Sequence, residues 1–149
     1  MVTKRRMYVA ESIASLDSTN QCLFMTIAGP PVSQPRPRVR RMASRVVIFN
    51  PCSRNKAAFQ EALRQSFREI GVTQFPIFSD DKLKVVATFH VTNTRKDIDN
   101  LLKFILDVMQ GIVYGDDRFV FSAEIHKKPA VSVAAQHTTI HVEKLYDTI

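Results

Sequence analysis

The stretch Arg95–Asp117, RKDIDNLLKFILDVMQGIVYGDD, constrains the chain most, because it combines an amphipathic helix with five acidic residues. At a helical pitch, Asp99, Asn100, Lys103, Asp107 and Gln110 fall within about 100° of arc. Leu101, Leu102, Phe104, Ile105, Leu106, Val108, Met109 and Ile112 fill the arc from about 140° to about 340°. So broad an apolar side must be packed on a core, which leaves the polar face to carry chemistry.

Asp97 and Asp99 open this helix, and Asp116 and Asp117 follow the turn at Tyr114 and Gly115 that ends it. Carboxylates brought together repel, and the usual remedies are a raised pKa or a bound cation. Hard oxygen ligands suit Mg²⁺ or Mn²⁺, which take a few carboxylates, keep several waters and share substrate phosphates. The chain positions are compatible with the two acidic groups converging on one cation, with Lys103 placed one turn on from Asp99 to meet a phosphate or balance the charge. A plainer reading uses the same residues. Asp97 caps the helix, Asp99 favours the dipole, Asp99, Lys103 and Asp107 form an i, i+4 ladder, and Asp116–Asp117 is a polar turn.

Charge is unevenly placed along the chain. Through Lys56 there are ten Lys and Arg against two acids, and after it eleven against twelve, within a net charge of +7. A basic first half attracts polyanions through phosphate neutralisation and counterion release. Its densest part, SQPRPRVRRMASR, holds Arg36, Arg38, Arg40, Arg41 and Arg45 with two prolines and no apolar period, which reads as a phosphate-gripping loop. Lys4, Arg5 and Arg6 add weak evidence of DNA contact or targeting.

Residues 1–20 show no sustained period and read as a flexible basic arm, with or without a short helix or strand, ahead of one domain over 21–149. The N-terminus lacks the apolar core of a secretory signal and no apolar run reaches membrane-spanning length, so an intracellular chain without membrane attachment is expected. Cys22 and Cys52 lack metal-ligand spacing and read as reduced thiols. Strands are predicted over 21–28, 46–49, 82–91, 119–126 and 137–145, and a helix from Ser53 through Ile70 that Gly71 ends. Ala57, Ala58, Ala62, Leu63, Phe67 and Ile70 form its inner stripe, and Phe119, Phe121, Ala123 and Ile125 share one face of the fourth strand. His90 reads as a sheet-face histidine, and His126, His137 and His141 have no motif spacing. The order β-β-α-β-α-β-β indicates an α+β domain, a mixed sheet with two helices on one face.

At Asp97, Asp99, Asn100, Lys103 and Asp107, written D-x-D-N-x-x-K-x-x-x-D, and the later Asp116–Asp117, the chain resembles the family of RusA-like Holliday junction endonucleases. An upstream half, G-x-P-x-x-x-x-R-P-R, is present at Gly29, Pro31, Arg36, Pro37 and Arg38, followed by Phe49 and Pro51 before a helix. Order and spacing agree over roughly residues 21–146.

The resemblance implies Mg²⁺ held by Asp97, Asp99 and Asp117, with Asp116 the alternative to Asp117, and a catalytic lysine at Lys103. Asn100 and Asp107 support the site, and of the five arginines read from charge as DNA-binding, Arg36 and Arg38 sit in the family-like RPR. It also implies a homodimer acting on four-way junctions in recombination and repair, with Mn²⁺ as a possible substitute metal and no organic cofactor. Two other classes remain at this point: a non-catalytic branched-DNA-binding protein, and a nuclease acting on flaps or other branched intermediates.

Overall fold

Nine residues of strict alternation, LKVVATFHV, form the strand around which the sheet is built. The computed structural model describes residues 12–16, 21–34, 38–42, 45–49 and 53–146, with side chains at 15–16, 21–34 and 56–146. In chain order the elements are β1 (Ser12–Leu16), β2 (Cys22–Ala28), β3 (Arg38–Met42), β4 (Arg45–Phe49), α1 (Ser53–Glu69), β5 (Leu83–Val91), α2 (Ile98–Met109), β6 (Val120–Pro129) and β7 (His137–Lys144).

Five strands make one mixed sheet in the order β1-β2-β7-β5-β6. Every pair is antiparallel except β5 and β6, whose parallel pairing requires a crossover, supplied by α2. On one face, Leu23, Met25, Ile27, Leu83, Val85, Ala87, Phe89, Ile140 and Val142 are buried under both helices. Burying each of the larger ones contributes about 1.5–3 kcal/mol. The two helices meet at Phe59 and Phe104, whose rings stand edge to face with centroids 5.3 Å apart. The other face is polar and half-exposed. His90 and His137, paired across β5 and β7, stack there at 4.0 Å, so His90 is a sheet-face residue with a ring partner.

The α+β class and both helices follow the expectation, and several local readings are corrected. The described residues form seven strands, where five were expected. Arg38–Met42, read as part of a loop, forms the antiparallel ribbon β3–β4 with Arg45–Phe49, Val39 opposite Ile48 and Arg41 opposite Val46. Ser12–Leu16 is a short strand of the kind allowed for in the stretch read as an arm, pairing with β2 at the edge of the sheet, while residues 1–11 and 17–20 lie outside the described ones. On α1 the inner stripe is Phe59, Leu63, Ser66 and Phe67, whereas Ala57 and Ile70 are exposed. Gly71 does stop the helix, its N–H donating to the Arg68 carbonyl at 3.0 Å. A register shift between Leu83 and Lys84 places Val120 and Ile125 against the core and leaves Phe121 exposed. The same strand continues to Pro129 rather than ending at His126.

Candidate active site

Strand β5 delivers the chain to a loop, Thr92–Lys96, that is tied down from three directions. From the β6–β7 connection, the Gln136 side-chain oxygen accepts from Thr92 N–H at 3.4 Å. From β6, the Lys127 ammonium donates to the carbonyls of Thr94 at 3.4 Å and Lys96 at 2.6 Å. From the loop after β2, the Pro31 carbonyl accepts from the Lys96 ammonium. Burial lowers the pKa of that ammonium. Gln34 N–H then donates to the Asn100 carbonyl at 3.0 Å, so the Gly29–Gln34 loop lies along the first turn of α2. Gly29 makes the turn possible at φ 99°, a region that disfavours any side chain, and its N–H reaches the Gln136 carbonyl at 3.0 Å. The upstream G-x-P segment and the D-x-D-N segment, distant in sequence, are thus neighbours.

Asp97 occupies the N-cap position with φ −72° and ψ 136°, and its side chain makes no cap hydrogen bond. Its carboxylate is therefore not spent on the helix, contrary to the plainer reading. Asp99, in the first turn, and Lys103, one turn later, are both exposed. Neither pair of the supposed Asp99–Lys103–Asp107 ladder closes into an ion pair among the described residues. Asn100 is half-buried beside Gln34.

The other end of α2 is built differently. Gly111, at φ 84°, turns the chain, and its N–H donates to the Tyr114 carbonyl at 2.7 Å. Tyr114 is fully buried and its hydroxyl donates to the Leu106 carbonyl at 2.6 Å. Burial, then the charges of Asp117, Asp107 and Asp116, push that hydroxyl far above the usual tyrosine range. Asp116 caps the short 3-10 turn Asp117–Phe119, its Oδ1 accepting from Arg118 N–H at 2.9 Å. Desolvation, a hydrogen bond with Asp116 and the charges of Asp116 and Asp107 raise the Asp117 carboxyl above its ordinary value. The charges of Asp107 and Asp116 thus act on both Asp117 and the Tyr114 hydroxyl.

The two acidic groups do not converge within one chain. Helix α2 has twelve residues, a length of about 18 Å. Parallel pairing of Leu83 with Val120 and of Val91 with Pro129 puts Asp117 beside the start of β5 and Asp97 beyond its end. Among the described residues no three His, Cys, Asp or Glu side chains are grouped to hold a metal. By donor chemistry Asp97 and Asp99 alone still suit Mg²⁺, which is commonly held by one or two carboxylates with waters and substrate phosphate completing the shell.

Of the arginines, Arg38, Arg40, Arg41 and Arg45 stand on the β3–β4 ribbon, and Arg36 lies outside the described residues. Sequence reasoning assigned no role to Lys127 or Gln34, because what they touch is far away along the chain. Gln34 is 5% exposed and its Oε1 has no partner among the described residues. No helix among the described residues is long and apolar enough to cross a membrane.

A protein-family model described as Endodeoxyribonuclease RusA matches residues 28–143. No curated protein matches the chain.

Proposed function

The chain belongs to the RusA endodeoxyribonuclease family, whose members are Holliday junction endonucleases, and on that premise we propose that it is a Mg²⁺-dependent resolvase that cuts four-way junctions as a homodimer. The observation that carries this reading is the unspent Asp97–Asp99 pair at the head of α2, on a loop tied from three sides. Asp97 and Asp99 bind the cation, and the Gly29–Gln34 loop beside them shapes the approach of DNA. A divalent cation held there supplies an acidified water and neutralises charge on the phosphate. Lys103, exposed one turn after Asp99, directs its ammonium to the phosphate oxygens or to the departing 3′ oxygen.

Asp117 enters through a second copy. In a two-fold dimer each contact is made twice, so a symmetry axis that brings the foot of α2 from one subunit to the head of α2 in the other completes both sites together. Two sites so related match the two symmetry-related strands of a junction. Asp117 is taken as the ligand with Asp116 the alternative, and the Asp116 oxygen that accepts from Arg118 N–H favours that order. Asn100 and Asp107 support the ligands. The arginine ribbon grips phosphates, with positions 38, 40 and 45 on one face and 41 on the other by the pairing register.

The test is cleavage of a mobile four-way junction, a flap and a linear duplex with Mg²⁺, alongside Asp99→Asn. Junctions cut far faster than the other two, with the variant inactive, is the expected result. Linear duplex cut as fast as junctions overturns the substrate, flaps preferred to junctions favours the other branched-DNA nuclease, and an active Asp99→Asn overturns the site.

A further inference from the structure

Lys127 stands on β6 opposite Phe89 of β5, near the end of both strands, and its side chain is half-buried. Its ammonium forms no ion pair among the described residues. It donates to backbone carbonyls instead, those of Lys96 at 2.6 Å and Thr94 at 3.4 Å. The Lys96 carbonyl belongs to the peptide group joining Lys96 to Asp97, so this bond fixes the plane from which Asp97 departs. On the other side, the Asp97 carbonyl accepts from Leu101 N–H at 3.1 Å. Both peptide planes flanking Asp97 are held, while its carboxylate caps nothing.

An ammonium is a poor choice for scaffolding alone at this place. The head of a helix favours anions over cations, and ordering a lysine side chain costs up to about 2 kcal/mol of rotamer freedom. The segment that Lys127 ties is the one that carries Asp97 and Asp99.

We propose that Lys127 is a positioning residue for the cation site: it sets the Asp97 backbone so that the Asp97 and Asp99 carboxylates stand ready for a divalent cation, and it touches neither cation nor DNA. This rests on reading Asp97 and Asp99 as cation ligands.

Mn²⁺ binding by the full chain, followed through the paramagnetic signal of the free ion, separates the possibilities. Lys127→Met is expected to weaken Mn²⁺ binding about 10-fold or more, as loss of outer-shell support does at metal sites, with junction binding in metal-free buffer within about two-fold of the parent. Lys127→Arg, whose fork reaches both carbonyls, recovers most of the affinity. Should Lys127→Met not fold, Lys127→Gln, which keeps one donor site, is read in its place and falls between the two. Undiminished Mn²⁺ affinity in the Met or Gln variant, alongside a loss in Asp99→Asn, overturns the role of Lys127 and leaves the ligands standing. A folded Lys127→Arg no better than Lys127→Met also counts against it. Undiminished affinity in Asp99→Asn overturns the cation site itself.

Discussion

At the head of α2 stand two exposed carboxylates, of which Asp97 makes no cap hydrogen bond among the described residues, whereas at its foot the charges of three carboxylates act on a buried tyrosine and Asp116 caps its own turn. The head is preorganised from outside. Loops from β2, β6 and β7 hold the backbone, and the side chains are left for something else. The foot is organised from within, by the buried Tyr114 and the Asp116 cap, and neighbouring carboxylates raise the Asp117 carboxyl. The two ends of one helix, unlike in character, in a chain of a junction-cutting family, are what the proposed two-fold dimer would join into one site.

The largest expected effect tests whether both ends belong to one reaction. Asp117→Asn should abolish junction cleavage as fully as Asp99→Asn does, by more than the roughly 10–100-fold that outer-shell changes cost at metal sites. Both variants should still bind junctions in a gel-shift assay without metal. An Asp117→Asn chain that retains most of its cleavage would leave the head as the whole site.

A second substitution removes what the two ends share. Phe104 is fully buried on α2 and meets Phe59 of α1, so Phe104→Ala should cost about 3–5 kcal/mol in denaturant unfolding. Cleavage should fall with the folded fraction rather than selectively. A normal melting curve would show that the helix is not anchored through this ring.

The smallest effect separates the ends by sign. Because the folded chain holds the Asp117 carboxyl above its ordinary value, the folded state binds that proton more readily than the unfolded state. The group's contribution to stability is therefore present below the unfolded carboxylate pKa and is lost as pH rises through the raised folded value. Asp117→Asn should raise the melting temperature at neutral pH, with parent and variant converging as the solution is acidified. Asp99→Asn, which removes an anion from the favourable end of the helix dipole, should show no such gain. A destabilising Asp117→Asn at neutral pH would contradict the crowding.

Much of this was legible in the sequence where the signal is local. The alternation of β5, the apolar arc of α2 and the stop at Gly71 are set by side-chain period and one backbone preference, and the fold places them as expected. What depends on distant partners was not legible. RVRRM has no apolar alternation of its own and becomes a strand only by pairing with β4. The last strand, β7, takes the middle of the sheet between β2 and β5. Where the two acidic groups lie relative to each other was not legible for a specific reason. Angles around a helix discard the coordinate along its axis, so Asp99 and Asp107 share a face yet stand two turns apart, and Asp117 lies beyond them.

Mixing two inactive chains tests the shared site most directly. When Asp99→Asn and Asp117→Asn proteins are combined and allowed to exchange subunits, half of the dimers should be mixed. Each mixed dimer should hold one intact site, built from Asp97 and Asp99 of one chain and Asp117 of the other. The account predicts that nicking of a single junction strand returns, at about a quarter of the parental number of sites. A mixture as inactive as either protein alone, with subunit exchange verified, would contradict it.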